Sequence, residues 1–198
     1  EQGVACEASI HSGRIGYWLP DYAKEKEALY IVMGTVGADT LQNKIIGSHT
    51  FDIIKKTMVP VLAVPNEASI KNFKEIVYLQ DHKTPDMIPL ENIAQIAKTF
   101  KANVDVIHFI EDKSNAADQE QFEKLQLEVK NNIDFEFNFL LKPTEHLHKS
   151  IQEIAEEKNP DLLALVMRQQ NFFQRLFKGR LTETLVNHSH TPLLVFEA

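Results

Sequence analysis

The sequence predicts an α/β fold, an open doubly wound parallel sheet with helices on both faces. Three observations carry that prediction. Apolar runs of strand length alternate with segments of helical period. The alternation is strict, which implies right-handed crossovers between parallel strands. The central runs are continuous rather than alternating, as expected for strands covered on both faces.

The elements are clearest from residue 73 onward. Ile76 to Leu79 is a continuous apolar run and reads as a central strand. Leu90, Ile93, Ala94, Ala97 and Phe100 recur at helical spacing after Pro89, which a first helical turn tolerates. Val104 to Ile110 is a second strand, and Phe122, Leu125 and Val129 mark a charged amphipathic helix. Phe135 to Leu141 alternates apolar and polar residues, as in a strand nearer the sheet edge. Leu147, Ile151, Ile154 and Ala155 form a third helical stripe, stopped at Asn159-Pro160. Leu162 to Met167 is a fourth strand, Leu181 to Val186 a fourth helix and Leu193 to Phe196 a fifth strand.

The residues before this unit repeat its end. Leu29 to Met33 reads against Leu163 to Met167, 134 residues on, and Val59 to Val64 against Thr191 to Phe196, 132 residues on. Gly47 pairs with Gly179 at 132, so this alignment places a two-residue deletion between Met167 and Gly179. Val4 to Ile10 and Gly13 to Lys26 then serve as the third strand and third helix of the earlier copy. The expected organisation is the back part of one unit over residues 1–68 and a complete second unit over 71–198. Roughly 60 residues of the first unit, two strands and two helices, would precede Glu1.

Composition bounds the function. With 43% hydrophobic and 25% charged residues, the 198-residue chain is neither low-complexity nor fibrous. A net charge of −7 argues against binding to a phosphate backbone, so nucleic acid is not an expected partner. No apolar run approaches the roughly 20 residues that cross a bilayer, and no signal-peptide pattern opens the chain; a cytoplasmic protein is the expectation. Cys6 is the single cysteine, which excludes an internal disulfide and a cysteine-rich zinc site. His146 and His148, two apart on an expected helix, do not face the same way, His188 and His190 stand in a helix-to-strand loop with no acidic or cysteine neighbour, and no metal site is expected.

One constellation carries chemistry. After the strand Leu29 to Met33 stand Gly34, Thr35 and Gly37, then Gly47, Ser48 and His49, the pattern G-x2-G-x9-G-S. In a doubly wound fold, ligands bind outside the carboxyl ends of the strands. Glycines there permit positive φ and close approach of backbone to ligand. Gly47-Ser48 would open the next helix, whose free N–H groups favour phosphate. A glycine loop followed by an ordinary Ser N-cap accounts for the same residues without a ligand.

This pattern, closed by Pro60-Val61-Leu62-Ala63-Val64-Pro65, resembles the universal stress protein family. The resemblance implies a five-stranded sheet of order 3-2-1-4-5, of the adenine nucleotide alpha hydrolase-like type. It also implies an ATP-type nucleotide site in which Gly34, Gly37, Gly47 and Ser48 contact ribose and phosphates, with Met33 and Thr35 alongside; His49, next after Gly47-Ser48, has a place either near phosphate or in packing at the helix N-terminus. The family's base contacts, an Asp ending the first strand and a residue on the second, belong to the stretch expected before Glu1. In the second copy Asp81 takes the Asp position, but Arg168, Asn171 and Arg180 stand where Gly34, Gly37 and Ser48 stood. That copy is expected not to bind ATP in the family's manner. The resemblance further implies self-association through the fifth strands, Val61 to Val64 and Leu193 to Phe196, across a dimer or between the tandem copies. A ligand-free interaction or dimerisation scaffold with a relic glycine loop is the alternative. No general base or metal-binding carboxylate pair stands beside the loop, Asp39 and Asp52 being the nearest acids, and the sequence identifies no reaction.

Overall fold

The computed structural model describes residues 3–34, 48–66, 68, 72–80, 87–110, 116–167 and 191–197. Its elements in chain order are α1 (Ile15–Glu25), β1 (Ile31–Gly34), α2 (Ser48–Ile54), β2 (Val61–Val64), β3 (Glu75–Gln80), α3 (Met87–Phe100), β4 (Asn103–Ile110), α4 (Ala116–Asn132), β5 (Asn138–Pro143), α5 (Leu147–Lys158), β6 (Leu162–Met167) and β7 (Leu193–Glu197). The expected helix at Leu181 to Val186 and the residues Arg168, Asn171, Arg180, His188 and His190 lie outside the described residues.

The seven strands form one sheet of order β1-β2-β7-β6-β3-β4-β5. From residue 75 onward the spatial order is β5-β4-β3-β6-β7, which is 3-2-1-4-5 in that unit's own numbering. All neighbours are parallel except β2 and β7, which pair antiparallel with Leu62 opposite Leu194. The two fifth strands therefore pair with each other within one chain. Each has a neighbour on both sides, and this pairing within the chain is one of the two forms that the resemblance implied.

The strand sequences explain their positions. Ile76, Val77, Tyr78, Leu79 and Gln80 are all buried, because β3 lies between β6 and β4 and is covered on both faces. One core layer joins Val77, Leu79, Leu163, Leu165 and Val195 to α5 through Ile151 and Ile154, and also includes Ile31, Val61 and Ile53. The opposite layer joins Ile76, Tyr78, Val104 and Val106 to α3 through Leu90, Ile93 and Ala97 and to α4 through Leu125 and Val129. Pro89 lies in the first turn of α3, where no N–H is required. Helix α5 ends at Asn159, in the left-handed conformation at φ 41°, ahead of Pro160. The Asp161 carboxylate accepts backbone N–H bonds from Lys74 at 2.7 Å and Glu75 at 3.0 Å, tying the start of β3 to that of β6.

Three expectations are corrected. Val4 to Ile10 is not a strand: this segment is exposed and unpaired, and the Ile10 side chain is fully solvent-accessible. A strand needs a neighbour for its backbone groups, and the described residues hold none beside it. The second correction concerns the internal correspondence. Ile31 pairs with Val61 and Leu163 with Leu193, the same 30-residue separation. Ile31 N donates to Pro60 O at 2.9 Å, as Leu163 N does to Pro192 O at 3.0 Å. Ile15 and Leu147 open α1 and α5, and Glu27 and Asn159, each 132 apart, both take positive φ. The offset is a uniform 132 from α1 to β2, and no two-residue deletion separates the strands. The edge strand expected over Phe135 to Leu141 lies at Asn138–Pro143 instead. Phe135 N donates to Ile133 O in a turn, so pairing with β4 begins only at Asn138 opposite Asp105.

Candidate functional site

The sequence places the candidate site where β1 ends and α2 begins. Met33 is half-buried and packs against the layer containing Ile31 and Val61. Gly34 is the last residue of β1 and is exposed. Helix α2 begins at Ser48, as the Gly47-Ser48 pattern implied, with His49 exposed in its first turn. Thr35, Gly37 and Gly47 lie outside the described residues, as does Asp39.

Gly34 differs from the expectation in an informative way. It does not adopt positive φ, and a Cβ built on it would meet no atom of the described residues within 4 Å. Neither backbone conformation nor packing among the described residues requires glycine here. The open space lies at the carboxyl end of a parallel strand, where α/β sheets receive ligands.

A residue that the motif did not single out fixes this corner. Thr50, 2% exposed, donates its hydroxyl to Gly34 O at 3.0 Å and so ties the first turn of α2 to the end of β1. Buried threonine hydroxyls are normally satisfied in this way, and the bond holds strand end and helix start in fixed relation. Its sequence signal was only a Thr two residues beyond Gly-Ser. Asp52 is engaged elsewhere, in an ion pair with Lys56 at 2.9 Å. The Asp52 carboxylate also lies against Gly16 of α1, where a Cβ would collide with it.

The matching corner of the second unit is built differently. At the uniform offset Val166, not Arg168, occupies the position of Gly34, and its side chain is buried. The carboxyl ends of the adjacent strands carry Gln80 and His108, side by side in register and both buried. His108 packs on the Phe122 ring of α4, with centroids 5.7 Å apart. Asp81 lies outside the described residues. Among the described residues no group of three or more metal-ligating side chains occurs.

An open α/β sheet with strand order 3-2-1-4-5 and a glycine at a strand's carboxyl end belongs to the doubly wound class, whose ligands enter outside the carboxyl ends of the strands. The universal stress protein family model matches residues 1–65 and 144–197. The chain belongs to the universal stress protein family. It is 36% identical over 64 residues to universal stress protein Sll1388 of Synechocystis sp., a match covering 32% of this chain and 42% of that protein. A universal stress protein from Archaeoglobus fulgidus shares the fold with a TM-score of 0.62 and 22% identity, over 89% of this chain and 64% of that one. A protein of unknown function from Pseudomonas aeruginosa does so with a TM-score of 0.63 and 15% identity, over 96% and 69%. The chain thus spans less than half of the curated relative and under two thirds of the Archaeoglobus protein. Among the described residues no helix is long and apolar enough to cross a membrane.

Proposed function

We propose that residues 1–68 are the back part of one universal stress protein domain and residues 71–198 a complete second one, in a cytoplasmic regulatory or protective protein. The first domain supplies the phosphate half of an adenine nucleotide site, through Gly34, Gly37, Gly47 and Ser48. Met33, Thr35 and His49 flank it. The observation that carries this reading is Gly34: a glycine that packing among the described residues does not require, held at a strand end by Thr50. A ligand that approaches the backbone supplies the missing reason for its lack of a side chain.

The second domain binds no nucleotide in this manner. Val166 places a side chain where Gly34 leaves backbone accessible, and the buried Gln80 and His108 fill the adjacent strand ends. Its role is to extend the sheet, through the β2–β7 pairing. That pairing is also what an interaction scaffold without ligand would need.

Calorimetric titration with ATP of the protein carrying a whole first domain tests the reading. Binding that Gly34→Arg abolishes supports a single site at β1. Binding that survives Gly34→Arg places the nucleotide elsewhere. No binding at all leaves the scaffold.

A further inference from the structure

Gly16 and Gly34 stand in opposite situations. At Gly34 no described residue claims the space of a side chain, whereas at Gly16 another side chain fills it. Gly16 is the second residue of α1 and is buried. The atoms nearest to its missing Cβ belong to Asp52 and Lys56: a Cβ would overlap Asp52 Oδ2 and would lie 3.0 Å from Asp52 Cγ and 3.5 Å from Lys56 Nζ. Glycine lowers helix stability relative to alanine, so its place inside α1 needs a reason. The carboxylate of Asp52, seated where the methyl would be, is that reason.

Charge fits this notch as well as shape. The N-cap of α1, Arg14, makes no side-chain capping bond among the described residues, and the first turn of α1 holds no acidic residue. A first helical turn favours negative charge, and Asp52 brings it from the neighbouring helix. Lys56 Nζ lies 2.9 Å from each oxygen of that carboxylate and 4.8 Å from the centre of the Tyr17 ring, so carboxylate, ammonium and ring bridge α1 and α2.

We propose that Asp52 is a positioning residue for the candidate site, through which α1 sets where α2 begins. Helix α2 carries Ser48 and His49 in its first turn and is held to the sheet by Ile53 and Ile54, both buried in the core. Two polar ties act on the start of that helix. Thr50 binds the Gly34 carbonyl at 3.0 Å, and Asp52 sits in the notch of α1. Two residues apart on a helix, they point in different directions, one toward the strand end and the other toward α1. Together they restrain α2 from pivoting about Ile53 and Ile54, and so fix Ser48 and His49 relative to Gly34. The inference rests on the nucleotide reading above for what is positioned.

Urea unfolding of the 198-residue chain tests the notch in four versions: unaltered, Gly16→Ala, Asp52→Ala and both together. The expected result is a reversal of sign. Gly16→Ala lowers the unfolding midpoint of the unaltered chain, where the new methyl meets Asp52, and raises it in the Asp52→Ala background, where only the gain in helix propensity remains. Hydrogen exchange read by mass spectrometry tests the positioning: Asp52→Ala should speed exchange in peptides covering His49 to Ile54 by about tenfold or more, with β3 and β4 unchanged. Asp52→Asn, which keeps the shape in the notch, should stay near the unaltered chain. Tripolyphosphate, followed through the amide NMR signals of His49 and Thr50, probes the site itself. Its affinity should fall about fivefold or more in Asp52→Ala and hold in Asp52→Asn, although losing a negative charge by itself favours an anion. Gly16→Ala acting with the same sign in both backgrounds overturns the proposal. So does unchanged exchange at His49 to Ile54 in Asp52→Ala, or tighter tripolyphosphate binding by that variant. Absence of tripolyphosphate binding by the unaltered chain would remove the nucleotide reading alone, the positioning being decided by exchange, so the two fail separately.

Discussion

Leu62 and Leu194 face each other across the β2–β7 junction, on the same side of the sheet, yet truncating them should have unequal cost. Leu194 is 1% exposed beneath α3, so Leu194→Ala in the 198-residue chain leaves a cavity walled by core side chains. Lost transfer energy and cavity together should cost about 3 to 4 kcal/mol. Leu62 is half-buried at the margin of the same layer, where water already reaches one side of it. Leu62→Ala then forfeits only partial burial and leaves no closed cavity, for about 1 kcal/mol. Val32, mostly exposed, should lose under about 0.5 kcal/mol on truncation to Ala. Urea unfolding followed by far-UV circular dichroism, with unchanged slopes, reads all three. A Leu62→Ala cost equal to that of Leu194→Ala would mean that the first half of this face is covered in the isolated chain, refuting the assignment of a bare surface.

Other consequences follow from single groups. Gln80 is buried with Oε1 accepting no hydrogen bond among the described residues, so Gln80→Met should raise stability by about 1 kcal/mol, seen as a higher urea midpoint. Asp161→Ala removes the acceptor shared by Lys74 N and Glu75 N and should cost about 1 to 2 kcal/mol in the same assay. Burial raises the pKa of the Glu197 carboxyl above its ordinary value. Its protonated form is thus favoured on folding, and that contribution is complete in acid and lost as pH rises through the raised value. Glu197→Gln should therefore leave the thermal midpoint unchanged well below the carboxylate range and raise it at neutral pH.

Much of the fold was legible because buried parallel strands advertise themselves. The runs that became β3, β4, β6 and β7 have no other stable place than a sheet covered on both faces. What stayed hidden needed a partner or a register. Val4 to Ile10 has the composition of a strand, but composition does not supply a neighbour for its N–H and C=O groups. The supposed deletion arose because an apolar strand slid by two residues keeps the same face inward, so sequence matching cannot distinguish the alignments. The bond from Ile31 N to Pro60 O distinguishes them. At the candidate site the glycine pattern was visible, whereas Thr50 was not: its role depends on a backbone carbonyl 16 positions away.

The nucleotide site assigned to the first domain alone is tested most directly by ATP calorimetry on the protein with that domain whole, beside its Gly34→Arg variant. One site per chain, lost on substitution, is the expected outcome. Two sites, or one indifferent to Gly34→Arg, would contradict it.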